Sequence, residues 1–116
     1  MPRRPIHDSI EKATELAEVL KALGHPLRLR IVSLLAERET HVNALAERLG
    51  APQAIVSQQL RILRMSGLVE ATRGAGRVQY RLAEPQLLGM LECMGKCEAV
   101  THIAAPERSF RRASSR

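Results

Sequence analysis

The sequence has no tryptophan, one tyrosine and one phenylalanine, so no aromatic cluster can organise its interior. The core must come from Leu, Ile, Val, Ala and Met, which suits helices. No apolar run approaches the roughly 20 residues that a bilayer-spanning helix needs. The opening Met1-Pro2-Arg3-Arg4 is basic, but an acidic, helix-forming stretch follows it where a signal peptide would place an apolar segment. The expectation is a cytoplasmic protein without membrane association. Two cysteines in a reducing compartment do not make a structural staple; they are small buried hydrophobes or reactive thiols. Nucleophile–base pairs, phosphate-binding loops and convergent carboxylates are all missing, which argues against an enzyme.

What is present is basic and aliphatic. The 116 residues suffice for one domain. A domain of this size leaves about a third of its unfolded-chain surface exposed, so a dimer interface would add needed stability. Hydrophobic residues make up 45% and the formal net charge is +6, with only three lysines among the 18 basic residues. That balance fits a polyanionic partner, because cationic side chains release counterions condensed on phosphate. Ribosomal and membrane-surface proteins share it, so charge alone does not decide.

Hydrophobic periodicity divides the chain. A short N-terminal arm, residues 1–7, is expected to be flexible. A first helix starts near Asp8, where Asp8-Ser9-Ile10-Glu11 has capping-box spacing. Ile10, Ala13, Ala17 and Leu20 recur at helical intervals, and Gly24 ends the run. Pro26 opens a second helix at the position where its missing N–H costs nothing, with Leu27, Ile31, Leu34 and Leu35 apolar. Val42, Leu45, Ala46 and Leu49 form a short third helix, closed by Gly50. A fourth runs from Pro52 to Ser66 with Val56, Leu60 and Leu63 inward. Two short helices across a tight glycine turn are the helix-turn-helix pattern. The period then changes to two: Val78, Tyr80 and Leu82 alternate with Arg77, Gln79 and Arg81. With Leu68 to Arg73 as partner and Gly74-Ala75-Gly76 as the turn, this predicts a hairpin. A last helix is expected from Pro85 to Ile103, and a disordered basic tail over 104–116. Residues 8–103 thus read as one mainly α domain with a small β-hairpin: five helices and a two-stranded wing.

The fourth helix is of a size that the major groove admits, and its outward N-terminal face offers Gln53, Ser57 and Gln58. Gln pairs bidentately with adenine, and Ser contacts several bases. Arg61 and Arg64 lie further along, better placed for phosphates. Arg73 and Arg77 flank the hairpin tip, where a wing would meet the minor groove. From Gly50 to Ala83 there are five arginines, Arg81 included, against one acid, Glu70.

Residues 16 to 82 resemble the ArsR/SmtB family of metal- and redox-sensing repressors. The matching stretches are Leu20 to Ile31 (with Gly24-His25-Pro26-Leu27-Arg28), Val56 to Leu63, Gly67-Leu68-Val69 and Gly76 to Tyr80. The resemblance implies a winged helix-turn-helix homodimer, joined through its first and last helices, on a palindromic double-stranded operator. Gln59 stands where the family often has His, and ranks below its neighbours as a DNA contact. Ala51 and Ala54 replace a usual cap and a frequent Ser. The family's Cys-x-Cys box before the recognition helix is absent, His41 and Asn43 occupying the cysteine places, and its last-helix zinc pattern is absent too.

Cys93 and Cys97 lie one helical turn apart on the last helix, sharing a face with Met90 and Val100. Three readings stay open. The thiols fill a dimer interface. They bind arsenite or another soft metal ion as inducer, with His102, Glu98, His7 or a cysteine of a second copy as third ligand. Or they oxidise or take up persulfide, although the two Cβ atoms of a regular helical turn are too far apart for a disulfide. DNA binding itself needs no cofactor. Competing functions are a sensor-less architectural DNA protein and a winged helix used for protein contacts.

Overall fold

The computed structural model describes residues 5–84 and 86–97. A 3-10 turn, Ile6–Asp8, precedes α1 (Ile10–Leu23), α2 (Pro26–Glu37), α3 (Val42–Leu49) and α4 (Gln53–Met65). The hairpin strands β1 (Val69–Gly74) and β2 (Arg77–Leu82) follow, then α5 (Gln86–Lys96). The expected five helices and two-stranded hairpin are all there. Residues up to Glu84 form one compact unit, and α5 belongs to a second.

Local chemistry sets the helix ends, with some changes from expectation. The Asp8 amide donates to the Pro5 carbonyl (3.1 Å), which closes the 3-10 turn and takes Asp8 out of the capping position. Ser9 caps α1 instead, its hydroxyl accepting from the Lys12 amide at 3.1 Å. The capping box is therefore displaced by one residue and lacks its carboxylate. Pro26 is the first residue of α2, as expected, and His25 caps that helix by accepting the Leu27 amide on Nδ1 at 3.1 Å. Gly50 stops α3 at φ 63°, a left-handed angle that glycine adopts without penalty. Pro52 proves to be the residue before α4, with no side-chain cap, so three residues join α3 to α4.

The core is aliphatic. Ile31 and Val32 of α2, Leu45 of α3, and Val56, Leu60 and Leu63 of α4 are fully buried, with Leu68 and Val69 sealing the hairpin base. From α1 only Ala22 and Leu23 join this core, so the face carrying Ile10 (87% exposed) and Leu20 (58% exposed) stays open within the single chain.

The strands pair antiparallel from Val69↔Leu82 to Gly74↔Arg77, leaving a two-residue turn. The left-handed residues are Ala75 (φ 50°) and Gly76 (φ 77°), not Gly74. Both central residues left-handed is the hairpin turn that matches strand twist. β2 is also pinned along its other edge, where Thr40 and Tyr80 exchange backbone hydrogen bonds of 2.7 and 3.1 Å. The wing is thereby tied to the residues that lead into α3.

The sequence predicts a last helix that reaches Ile103. It is described as Gln86–Lys96, while Pro85 and residues 98–116, with His102 and the basic tail, lie outside the described residues. Cys97 is the first residue past the helix. Its amide meets the carbonyl of Met94, three residues back, at 3.4 Å, so the helical ladder ends there in a tighter turn.

A left-handed alanine costs about 1–2 kcal/mol relative to its right-handed form, and Asn tolerates that region better. Ala75→Asn should therefore raise stability by about 0.5–1 kcal/mol. Urea unfolding measures this, and an unchanged or lower midpoint would contradict a strained turn.

Candidate nucleic-acid interface

The buried side of α4 decides what its open side presents. With Val56, Leu60 and Leu63 inward, Gln53, Ser57, Gln58, Arg61 and Arg64 are all exposed. Gln53, Ser57 and Arg61 follow one another at four-residue intervals, and Arg64 sits three further on, so they form one stripe. Gln58 lies beside it. Among the described residues none of these five side chains is hydrogen-bonded within the protein.

Gln59 is different. It is half-buried at the edge of the core, and its Oε1 accepts a hydrogen bond from Arg28 Nη1 at 2.9 Å. A guanidinium only donates, so the amide oxygen must face it. The structure thus separates Gln59 from Gln53, Ser57 and Gln58. Ile55 and Ile62, seven residues apart, leave an exposed apolar flank on α4 that sequence periodicity did not single out.

The hairpin places its arginines in three different settings. Arg81 is spent: its Nε and Nη2 both reach Glu70 Oε2, at 3.0 and 2.7 Å, across the directly paired positions Glu70↔Arg81. This exposed pair adds little stability, but it neutralises the only acid of the segment. Five arginines less Arg81 leave four, now with no unpaired carboxylate among them: Arg61, Arg64, Arg73 and Arg77. Arg73 pairs across the ladder with Val78 and Arg77 with Gly74, so the two wing arginines project from opposite faces of the ribbon. Arg73 has no ion pair among the described residues. Arg77 is held, its Nη1 lying 2.9 Å from His41 Nε2.

By sequence His41 merely stands where the family has a cysteine. Its Nδ1 also lies 3.4 Å from the Ala44 amide, in the position of an α3 cap. A neutral imidazole has one acceptor nitrogen, so it cannot accept from both. Arginine is always a donor and its contact is the shorter. The Ala44 amide can likewise only donate and caps α3 in this geometry, so the two donors compete for one bare nitrogen, and the shorter Arg77 contact favours the tautomer with its proton on Nδ1. Neither Arg28 nor His41 could be found from sequence as a contact, because each meets a partner more than 30 positions away.

Cys93 is exposed on α5 and Cys97 is half-buried just beyond it; both are free thiols. Among the described residues no three His, Cys, Asp or Glu side chains converge in a metal-binding group. His102 lies outside the described residues, and His7 stands exposed in the first turn beside Asp8 (3.4 Å).

Comparison with known proteins agrees with this fold. Residues 25–71 match the bacterial regulatory protein family arsR. Over 94 residues the chain is 37% identical to the biofilm growth-associated repressor of Xylella fastidiosa, covering 81% of this chain and 82% of that one. The crystal structure of the transcriptional repressor BigR from Xylella fastidiosa is similar, with 37% identity and a TM-score of 0.71 over 78% of this chain and 93% of that one. The solution structure of Mb0332 from Mycobacterium bovis, described as a homodimeric winged helix-turn-helix DNA-binding domain, has 33% identity and a TM-score of 0.64. It covers 89% of this chain and 92% of that one.

The His41 tautomer is directly testable. Ring 15N NMR should find the proton of the neutral ring on Nδ1, and Arg77→Ala should release that preference. A proton on Nε2 in the parent protein would contradict the Arg77 contact.

Proposed function

The chain belongs to the bacterial arsR family of regulatory proteins and is a transcriptional repressor of that family, and from that premise we propose how it acts. It binds a palindromic double-stranded operator as a homodimer. Gln53, Ser57 and Gln58 read base edges in the major groove, Arg61 and Arg64 hold phosphates, and Arg73 and Arg77 engage the adjacent minor groove from the wing. The single observation that carries this is the polar stripe on α4, backed by three fully buried residues and unpaired within the protein. The homodimer reading is supported by the Mycobacterium bovis relative and by the open apolar positions of the outer helices, Ile10 and Leu20 on α1 and Leu88 and Met94 on α5.

Signal reception belongs to Cys93 and Cys97. Arsenite or another soft metal ion captured by the two thiolates shifts the last helices and changes the angle between the two reading heads. A coupling of about 1–3 kcal/mol suffices to release DNA. The third ligand of such an ion is His102 or a group from a second copy. Oxidation or persulfide uptake is the second reading, and one observation favours it: Cys97 stands outside the helical ladder. The regular-helix spacing that disfavours a Cys93–Cys97 disulfide does not apply at Cys97.

Two outcomes test these readings on a duplex enriched by the parent protein from a randomised pool. Replacing Arg61 or Arg73 with Ala should each reduce the slope of log affinity against log salt by about one. Gln58→Ala should cost about 1–3 kcal/mol on the enriched duplex and little on random DNA. Unchanged slopes and equal losses on both DNAs contradict the assignment. In the same gel-shift assay, the Cys93→Ser, Cys97→Ser double variant should stay on DNA when arsenite, a persulfide donor or peroxide releases the parent. Release of the variant by every such agent places the sensor elsewhere.

A further inference from the structure

The carbonyls of the last turn of a helix lack intrahelical donors and need others. Gly24 and His25 amides take the Lys21 and Leu23 carbonyls at the end of α1. The Ala22 carbonyl, on a buried residue, is met instead by Arg28 Nε at 2.5 Å. The same guanidinium donates through Nη1 to Gln59 Oε1, midway along α4, at 2.9 Å. Arg28 lies in the first turn of α2 and is half-buried. One planar, rigid group thus spans three helices: it stands on α2, caps the end of α1 and grips α4.

We infer that Arg28 is a positioning residue of the reading head, fixing the offset of α4 against the end of α1 through Gln59. Gln59 follows directly on Ser57 and Gln58, so its grip sets where those two side chains stand. The inference rests on the reading of α4 as the base-contacting helix. It also gives Gln59 a different role from its neighbours. Bidentate recognition of adenine needs the amide oxygen and nitrogen aimed together at the base, and the oxygen of Gln59 is aimed at Arg28. Lysine cannot replace this fork, because an ammonium is a point donor without the fixed geometry.

The test is a double-mutant cycle on the duplex that the parent enriches from a randomised pool. Arg28→Lys and Gln59→Leu should each weaken binding about tenfold, and the double variant no more than either alone. Re-enrichment with Gln59→Leu should return the parent's preferred sequence. Thermal melts run alongside show that each variant is folded at the assay temperature. A residue that only stabilised the fold would lower the melting temperature and leave the affinity of the folded protein unchanged. Losses that multiply in the double variant, a changed preference at one base pair, or unchanged affinity would each overturn the inference. If Arg28→Lys does not fold, Gln59→Leu alone decides, by weaker binding with an unaltered preferred sequence. A parent that enriches no duplex overturns the DNA reading and this inference together; a parent that does, with losses that multiply, overturns this inference alone.

Discussion

Val56, Leu60 and Leu63 occupy one side of α4 and are removed from water completely. Burying each contributes about 1.5–3 kcal/mol, so together they rival the whole net stability of a small domain, about 5–15 kcal/mol. α4 therefore cannot rotate about its axis without exposing them. That constraint fixes, as a by-product, which residues the opposite side offers. Gln53, Ser57, Gln58, Arg61 and Arg64 face outward because the three apolar positions between them have no alternative. The exposed polar stripe and the buried apolar one are two faces of one helical period.

The wing obeys a second constraint. A two-stranded hairpin is marginal by itself, yet this one is anchored at both sides. Leu68 and Val69 are buried at its base, and Tyr80 shares backbone bonds with Thr40. Tying β2 to the residue that leads into α3 sets the distance between the wing and the helix-turn-helix. Electrostatics follows the same division of labour. Glu70 and Arg81 cancel near the anchored end of the hairpin, while Arg73 and Arg77 stand by its tip. Positive charge is left at the tip of the wing.

Much of this was legible in the sequence, for reasons that are local. Helical spacing of Val56, Leu60 and Leu63 announces their burial, and strand alternation around Tyr80 announces the wing. Gly50 marks the turn between α3 and α4 through its left-handed angle. Errors fell where neighbouring signals competed. Asp8 and Ser9 are both good caps, and a carbonyl three residues before Asp8 settled the choice for Ser9. Three small residues stood at the hairpin tip, and strand register, not composition, selected Ala75 and Gly76 as the left-handed pair. The fork of Arg28 and the imidazole of His41 stayed invisible, since each depends on a partner brought near only by the fold. Gln59 shows the same limit: by sequence it ranks below Ser57 and Gln58 as a contact, and only the fold supplies the hydrogen bond it accepts from Arg28.

The most direct test of the account is an NMR titration of the 15N-labelled protein with the duplex it enriches from a randomised pool. Shifts in the Gln53, Gln58 and Ser57 signals, with those of residues 73–77 moving in step, are the result the account predicts. Signals of α4 that stay in place while another surface responds would contradict it.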